Sequence, residues 1–376
     1  MTLDPGAGAS HAPARPGKHH HLIGSFEPEL GGVLPEVTLA YETWGELNAA
    51  GDNAVLIVHA LTGDSHAAGP CDEYKKGGWW EPMIGPGRAI DTDQYFVICS
   101  NVLGGCSGST GPASTDPESG RPYATRFPLV TIRDIVRAQR RLLDRLGVRR
   151  LALVTGGSIG GQQALEWAVE FPDFVDKAVP IAANNALGPQ GLGMSELGRR
   201  AIMSDPDWQG GDYYGTGRSP DKGLSIARMA GMLTYQSADG QWDRFGRRKA
   251  SRPALFEEFG GRFEVESYLH YQGNDLAGRF DANSYLYLLR AMDLYDVAHG
   301  YESTEEAYGR VKAEVLFVGI SSDWLFPARE VQATAEAARK AGVNADYTEV
   351  DTLSGHDAFL KDWDELRAAI SPFIKD

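Results

Sequence analysis

Three residues have the types and the order needed for nucleophilic catalysis by a serine: Ser158, Asp323 and His356. A serine hydroxyl is a weak nucleophile at neutral pH. An imidazole must take its proton, and a carboxylate must hold that imidazole in the useful tautomer. Ser158 lies in Gly156-Gly-Ser-Ile-Gly160, followed by Gly161. A strand that turns directly into a helix forces its apex residue into a strained conformation and leaves no room for neighbouring Cβ atoms. That is the physics of a nucleophile elbow. The helix that starts beneath the serine points backbone N–H groups at developing negative charge. A phosphate-cradling turn is the other use of such glycines, but the Gly-x-Gly-x-x-Gly spacing is absent and no lysine follows as in a Walker loop. Taken singly, Asp323 reads as a helix cap ahead of Pro327 and His356 as a loop-ordering residue. Their joint placement after Ser158 selects the triad.

Each of the three must be carried by a strand. Leu151–Val154 precedes Ser158, Val315–Ile320 precedes Asp323, and Tyr347–Val350 precedes His356. Leu151–Val154 is a short apolar run of the kind that a buried parallel strand requires, Val315–Ile320 resumes the sheet, and Tyr347–Val350 reads as its last strand. Further strands are expected at Val37–Tyr41, Ala54–Val58, Tyr95–Ser100 and Ala178–Ala183. Helical spacing appears over Thr131–Leu146, Gln162–Glu170 and Val331–Ala341, and a closing helix runs through Ile370. Strands alternating with helices predict an α/β fold with a mostly parallel sheet flanked by helices. The strand at Ala54–Val58 opens into His59-Ala-Leu-Thr-Gly63, where the backbone N–H of Leu61 is placed to donate to an oxyanion. His59 precedes the serine, outside the triad order, and reads as a residue that orders its own loop.

The alternation stops between residues 184 and 301. Helical patterns, tryptophans, tyrosines and Gly/Asp turns there predict a helical lid inserted over the site. Its aromatics are expected to pack the lid onto itself or onto a second subunit. The expected organisation is a disordered leader over residues 1–20, a first core part over 21–183, the lid over 184–301, and a second core part over 302–376. His19-His20-His21 reads as a neutral, tag-like run.

Composition narrows the classes. The 376 residues carry 36 Lys and Arg against 51 Asp and Glu, a formal charge of −15. That balance argues against nucleic acid or an anionic membrane as partner. No apolar stretch approaches the ~20 residues of a membrane span. Cys71, Cys99 and Cys106 lack ligand spacing, so no metal site is expected, and free thiols suit the cytoplasm.

The longer motifs are more specific than the elbow. His59-Ala-Leu-Thr-Gly-Asp-Ser65, Asn101-Val-Leu-Gly-Gly-Cys106, Gly108-Ser-Thr-Gly-Pro112, Asp205-Pro-Asp-Trp208, Val265-Glu-Ser-Tyr-Leu269 and Gly355-His-Asp-Ala-Phe359 accompany it. With these motifs almost everything after residue 35 resembles the homoserine O-acyltransferase family of the α/β-hydrolase superfamily, and most closely its acetyl-transferring members. The family often has methionine after the nucleophile, where this chain has Ile159. That position acts through its backbone N–H, so little consequence is expected. The resemblance implies an α/β-hydrolase fold and transfer of the acetyl group of acetyl-CoA to the hydroxyl of L-homoserine, a step toward methionine. It implies a ping-pong route through an acyl-Ser158, with the N–H groups of Leu61 and Ile159 as oxyanion donors. It places Arg228 at the substrate carboxylate and Asp357 at the ammonium. It further implies no bound cofactor, acetyl-CoA as co-substrate, and a homodimer formed through the lid. Succinyl-CoA as donor, serine as acceptor, or a plain serine esterase remain as alternatives.

Overall fold

A computed structural model describes residues 17–70, 77–250 and 261–375. Its centre is an eight-stranded sheet of β1 (His19–Phe26), β2 (Leu34–Trp44), β3 (Ala54–Ile57), β4 (Phe96–Ser100), β5 (Leu151–Gly157), β6 (Lys177–Ile181), β7 (Glu314–Ile320) and β8 (Ala345–Val350). The spatial order is β1-β2-β4-β3-β5-β6-β7-β8. β1 and β2 pair antiparallel, as do β2 and β4, and every other neighbouring pair is parallel. The mostly parallel sheet expected from the alternation is therefore present, with an antiparallel edge.

The inner parallel strands are apolar on both faces because both faces are covered, whereas β8 at the edge is buried only at Ala345 and Val350. In β3, Ala54 and Leu56 join one core while Val55 and Ile57 join the other. In β7, Val315 and Phe317 face one way, Leu316 and Val318 the other. The first core is closed by α1 (Ile132–Arg145) and α2 (Ile159–Glu170). Thr131 and Asp134 form a reciprocal capping box at the start of α1: the Asp134 N–H donates to Thr131 Oγ1 and the Thr131 N–H to Asp134 Oδ2.

The expected helical insertion is α3 (Pro189–Met203), α4 (Asp221–Thr234), α5 (Ala238–Phe245), α6 (Glu264–Ala277) and α7 (Ala282–Leu294). The chain then returns through α8 (Thr304–Tyr308), α9 (Ala328–Lys340) and α10 (Trp363–Lys375). Leu366, Ile370 and Ile374 of α10 close the second core.

The leader expected over residues 1–20 needs correction at its end, because His19 and His20 are the first residues of β1 and pair with Tyr41 and Ala40. Residues 1–16 of that leader, and Cys71, lie outside the described residues. β1 escaped the sequence reading because its register shifts on both sides of Gly24, whose φ is +86°. The irregularity breaks the two-residue alternation by which a strand is recognised. Its buried apolar residues, Ile23 and Phe26, are three apart.

Candidate active site

The nucleophile turn is built by exclusion. β5 ends at Gly157, α2 begins at Ile159, and Ser158 between them has φ 63° and ψ −128°. A non-glycine residue held there stores on the order of 1–3 kcal/mol of strain. A Cβ on Gly156 would lie 2.0 Å from the Val58 carbonyl oxygen, and one on Gly160 would lie 2.3 Å from the same atom. On Gly161 a Cβ would meet Ala183 Cβ at 2.6 Å. The glycines let the chain at the ends of β3 and β6 pass close to the turn. The Ser158 N–H is tied to the Ile181 carbonyl at 2.9 Å. Ile159 is the first helical residue, so its N–H has no carbonyl one turn earlier in α2 to bond.

Asp323 and His356 arrive on the loops after β7 and β8. Asp323 Oδ2 lies 2.6 Å from His356 Nδ1, and Asp323 Oδ1 accepts from the N–H groups of Leu325 (2.8 Å) and Phe326 (3.0 Å). The carboxylate is thus locked by its own turn and presents one oxygen to the imidazole. The His356 ring stacks on Phe326, centroids 5.3 Å apart, and meets Phe359 edge-on at 5.6 Å. Its Nε2 is buried without a hydrogen-bond partner among the described residues. Burial alone would lower the His356 pKa, but the charge and hydrogen bond of Asp323, helped by Asp357, raise it above the ordinary histidine value. Phe359 also packs against Gly157, where an added Cβ would stand 2.5 Å from its ring. One aromatic ring therefore touches both the residue beside Ser158 and His356.

Leu61 sits in a tight turn: the Gly63 N–H donates to the Ala60 carbonyl at 2.9 Å. His59 is buried, with Nδ1 2.8 Å from the Ala60 oxygen and Nε2 3.2 Å from the Val102 nitrogen. It orders its loop, as its place in the sequence suggests, and burial lowers its pKa.

The lid reaches all three loops. Arg279 Nη1 donates to the Thr62 carbonyl beside Leu61 (3.2 Å), Trp324 Nε1 next to Asp323 donates to the Gln236 carbonyl (3.1 Å), and the Asp357 N–H donates to the Tyr235 carbonyl (3.0 Å). Arg228 on α4 has its guanidinium carbon 5.5 Å from the Tyr235 ring centroid, and its Nε is buried without a partner among the described residues. Tyr235 in turn lies 5.9 Å from the His356 ring. Asp357 is paired with Lys361 at 3.0 Å, its side chain 15% exposed. An ammonium at Asp357 would therefore share it with a lysine.

Tyr235 is the site residue that the sequence reading missed. The lid aromatics are expected to pack the lid onto itself or onto a second subunit, yet this one faces the imidazole. Arg228 and Tyr235 are seven residues apart and share a helix face, but that spacing alone singles out neither. Among the described residues no group of three His, Cys, Asp or Glu is arranged to hold a metal ion, and no helix is long and apolar enough to cross a membrane. Cys99 and Cys106 are free and buried.

Comparison with known proteins identifies the family. The family described as alpha/beta hydrolase fold matches residues 53–362. A protein of Symbiobacterium thermophilum named homoserine O-acetyltransferase is 54% identical over 352 residues, covering 93% of this chain and 91% of its own. The crystal structure of homoserine O-acetyltransferase from Bacillus anthracis superposes with a TM-score of 0.89 at 31% identity, covering 96% of this chain and 97% of that one. The crystal structure of esterase E22 superposes with a TM-score of 0.87 at 29% identity, covering 95% and 99%.

Proposed function

Because this chain belongs to the homoserine O-acetyltransferase family of acyltransferases, on the alpha/beta hydrolase fold, we propose that it moves an acetyl group from acetyl-CoA to the hydroxyl of L-homoserine through an acyl-Ser158. The observation that carries this reading is the Asp323–His356 pair, whose imidazole meets the same Phe359 ring that packs against Gly157, the residue before the strained Ser158. His356 Nε2 takes the Ser158 proton as Oγ attacks the thioester carbonyl. The N–H groups of Leu61 and Ile159 hold the oxyanion, a contact worth ~3–4 kcal/mol per donor. The imidazolium then gives its proton to the departing thiolate, and CoA leaves. In the second half-reaction His356 deprotonates the homoserine hydroxyl, which attacks the acyl-serine carbonyl; the acyl–Oγ bond breaks, the imidazolium returns its proton to Ser158 Oγ, and O-acetylhomoserine leaves. One site serves both halves, a ping-pong scheme.

Arg228 is the carboxylate partner in this reading. Its Nε lacks an acceptor among the described residues, and a guanidinium forks onto carboxylates. Asp357 takes the ammonium in competition with Lys361. The lid excludes water from the acyl-enzyme, which a transferase requires. We place the enzyme in the cytoplasm as a homodimer through the lid, supported by the exposed apolar side chains of Leu197, Ile226, Leu233, Trp242 and Tyr271.

A hydrolase is the second reading, favoured by one observation: the likeness to esterase E22. The test is product analysis with acetyl-CoA in the presence and absence of L-homoserine. O-Acetylhomoserine as the main product supports the transferase. Acetate released at the same rate without homoserine supports the esterase. Succinyl-CoA as a better donor, or serine as a better acceptor, would redirect the assignment within the family.

A further inference from the structure

The Leu61 N–H belongs to a peptide plane that is fixed from its other edge. The Ala60 carbonyl of that plane lies 2.8 Å from His59 Nδ1 and accepts from the Gly63 N–H at 2.9 Å. A trans peptide is planar, with C=O and N–H pointing in opposite directions. Whatever holds the Ala60 carbonyl therefore sets the direction of the Leu61 N–H.

The neighbours of His59 also settle its tautomer. The Val102 N–H, which can only donate, stands 3.2 Å from Nε2. Asn101 Oδ1 accepts from the N–H groups of Ser107 (3.1 Å) and Ser109 (3.4 Å), which turns its Nδ2 toward the same Nε2 at 3.1 Å. Two donors converge on Nε2, so Nε2 is bare and the proton of the neutral ring sits on Nδ1, facing the Ala60 oxygen. His59 and Asn101 are each 1% exposed, so water does not compete for these bonds.

We propose that His59 is a positioning residue for the oxyanion site: held by Asn101 and Val102, its Nδ1–H grips the Ala60 carbonyl and thereby aims the Leu61 N–H at the oxygen that becomes negative when Ser158 attacks. The inference rests on the acyl-serine chemistry proposed above, but not on which donor or acceptor is used. It explains why the motif places a histidine, rather than another loop-ordering residue, two positions before the donor. Only a ring with a donor on one nitrogen and an acceptor on the other joins the loop at 101–102 to this peptide.

Two substitutions separate the halves of the ring. In His59→Gln the amide oxygen stands where Nε2 was and keeps the bond from Val102, while the donor to Ala60 is lost. In His59→Asn the amide nitrogen stands where Nδ1 was and keeps the Ala60 bond, while the acceptor for Val102 is lost. The readout is the burst of nitrophenolate when Ser158 is acylated by p-nitrophenyl acetate, which needs neither CoA nor homoserine. A failed acceptor assignment would therefore leave this test intact. The proposal expects His59→Gln to slow acylation by ~10–100-fold, less than outright loss of a donor, and His59→Asn to stay within about fivefold of wild type. The KM for homoserine should hold in both. Equal slowing in the two variants, or slowing that follows the loss of melting temperature regardless of which bond is kept, overturns the proposal. A second measurement needs no variant: ¹⁵N–¹H correlation of the His59 ring in the wild-type protein. A protonated Nδ1 with a bare Nε2 supports the proposal, and a protonated Nε2 overturns it.

Discussion

Asp323 and His356 face each other across 2.6 Å, and the carboxylate oxygen that the imidazole does not use is held by two backbone N–H groups. This fixes the proton on the Nδ1 side and leaves Nε2 as the free base. Asp323→Asn presents an amide instead. The expected result is a fall in kcat of up to ~10⁴-fold with the fold intact, measured by steady-state turnover and circular dichroism.

The same pair sets the pH dependence. Because the charge of Asp323 lifts the His356 pKa above the ordinary 6.5, the fraction of neutral base grows as pH rises through a value above 6.5. The rate of Ser158 acylation should follow, with its acid limb above that of a free histidine. The stabilising effect runs the other way: the raised pKa stabilises the fold fully below 6.5 and loses that effect as pH rises through the folded value. A pH profile of kcat/KM for the acyl donor reads the limb, and an acid limb at or below 6.5 would contradict the geometry.

Packing at the elbow gives a stability test that does not use activity. Gly160→Ala brings a Cβ to within 2.3 Å of a backbone oxygen, and such overpacking costs about 1–3 kcal/mol or more. Gly193→Ala, in α3 with nothing within 4 Å of its added Cβ, should instead stabilise by up to ~1 kcal/mol through helix propensity. Urea unfolding of the two variants should move in opposite directions.

The assignment of Arg228 is tested by separating the half-reactions. Arg228→Leu should keep the first-turnover burst of CoA release and lose product formation by ~10–100-fold, the effect of one charge-assisted contact. Rapid mixing compares the two. Equal loss of burst and turnover would make Arg228 structural or a CoA ligand.

The parts of this site that were legible in the sequence are those with strict steric or order requirements. Only glycines fit beneath Ser158, and the three loops that carry the triad each follow an expected strand, so both fold class and candidate triad could be read from the sequence. The lid was legible as a break in the strand–helix alternation. β1 was not, because the shift at Gly24 removes its periodicity. Neither Arg228 nor Tyr235 could be derived from local pattern, since a helix-surface arginine and a helix-end tyrosine look ordinary until α4 is laid over His356. Family resemblance supplied Arg228; only the fold supplies Tyr235. His59 could be read as a loop-ordering residue, but the peptide plane it holds could not.

In the proposed scheme Ser158 carries the acyl group between two substrates. Intact-mass measurement after rapid mixing with acetyl-CoA tests it most directly. The expected result is one added acetyl group, mapped to Ser158, absent in Ser158→Ala, and discharged by L-homoserine as O-acetylhomoserine much faster than by water. A wild-type protein that turns over without acquiring that mass, or a Ser158→Ala variant that keeps more than ~10⁻³ of the activity, would contradict it.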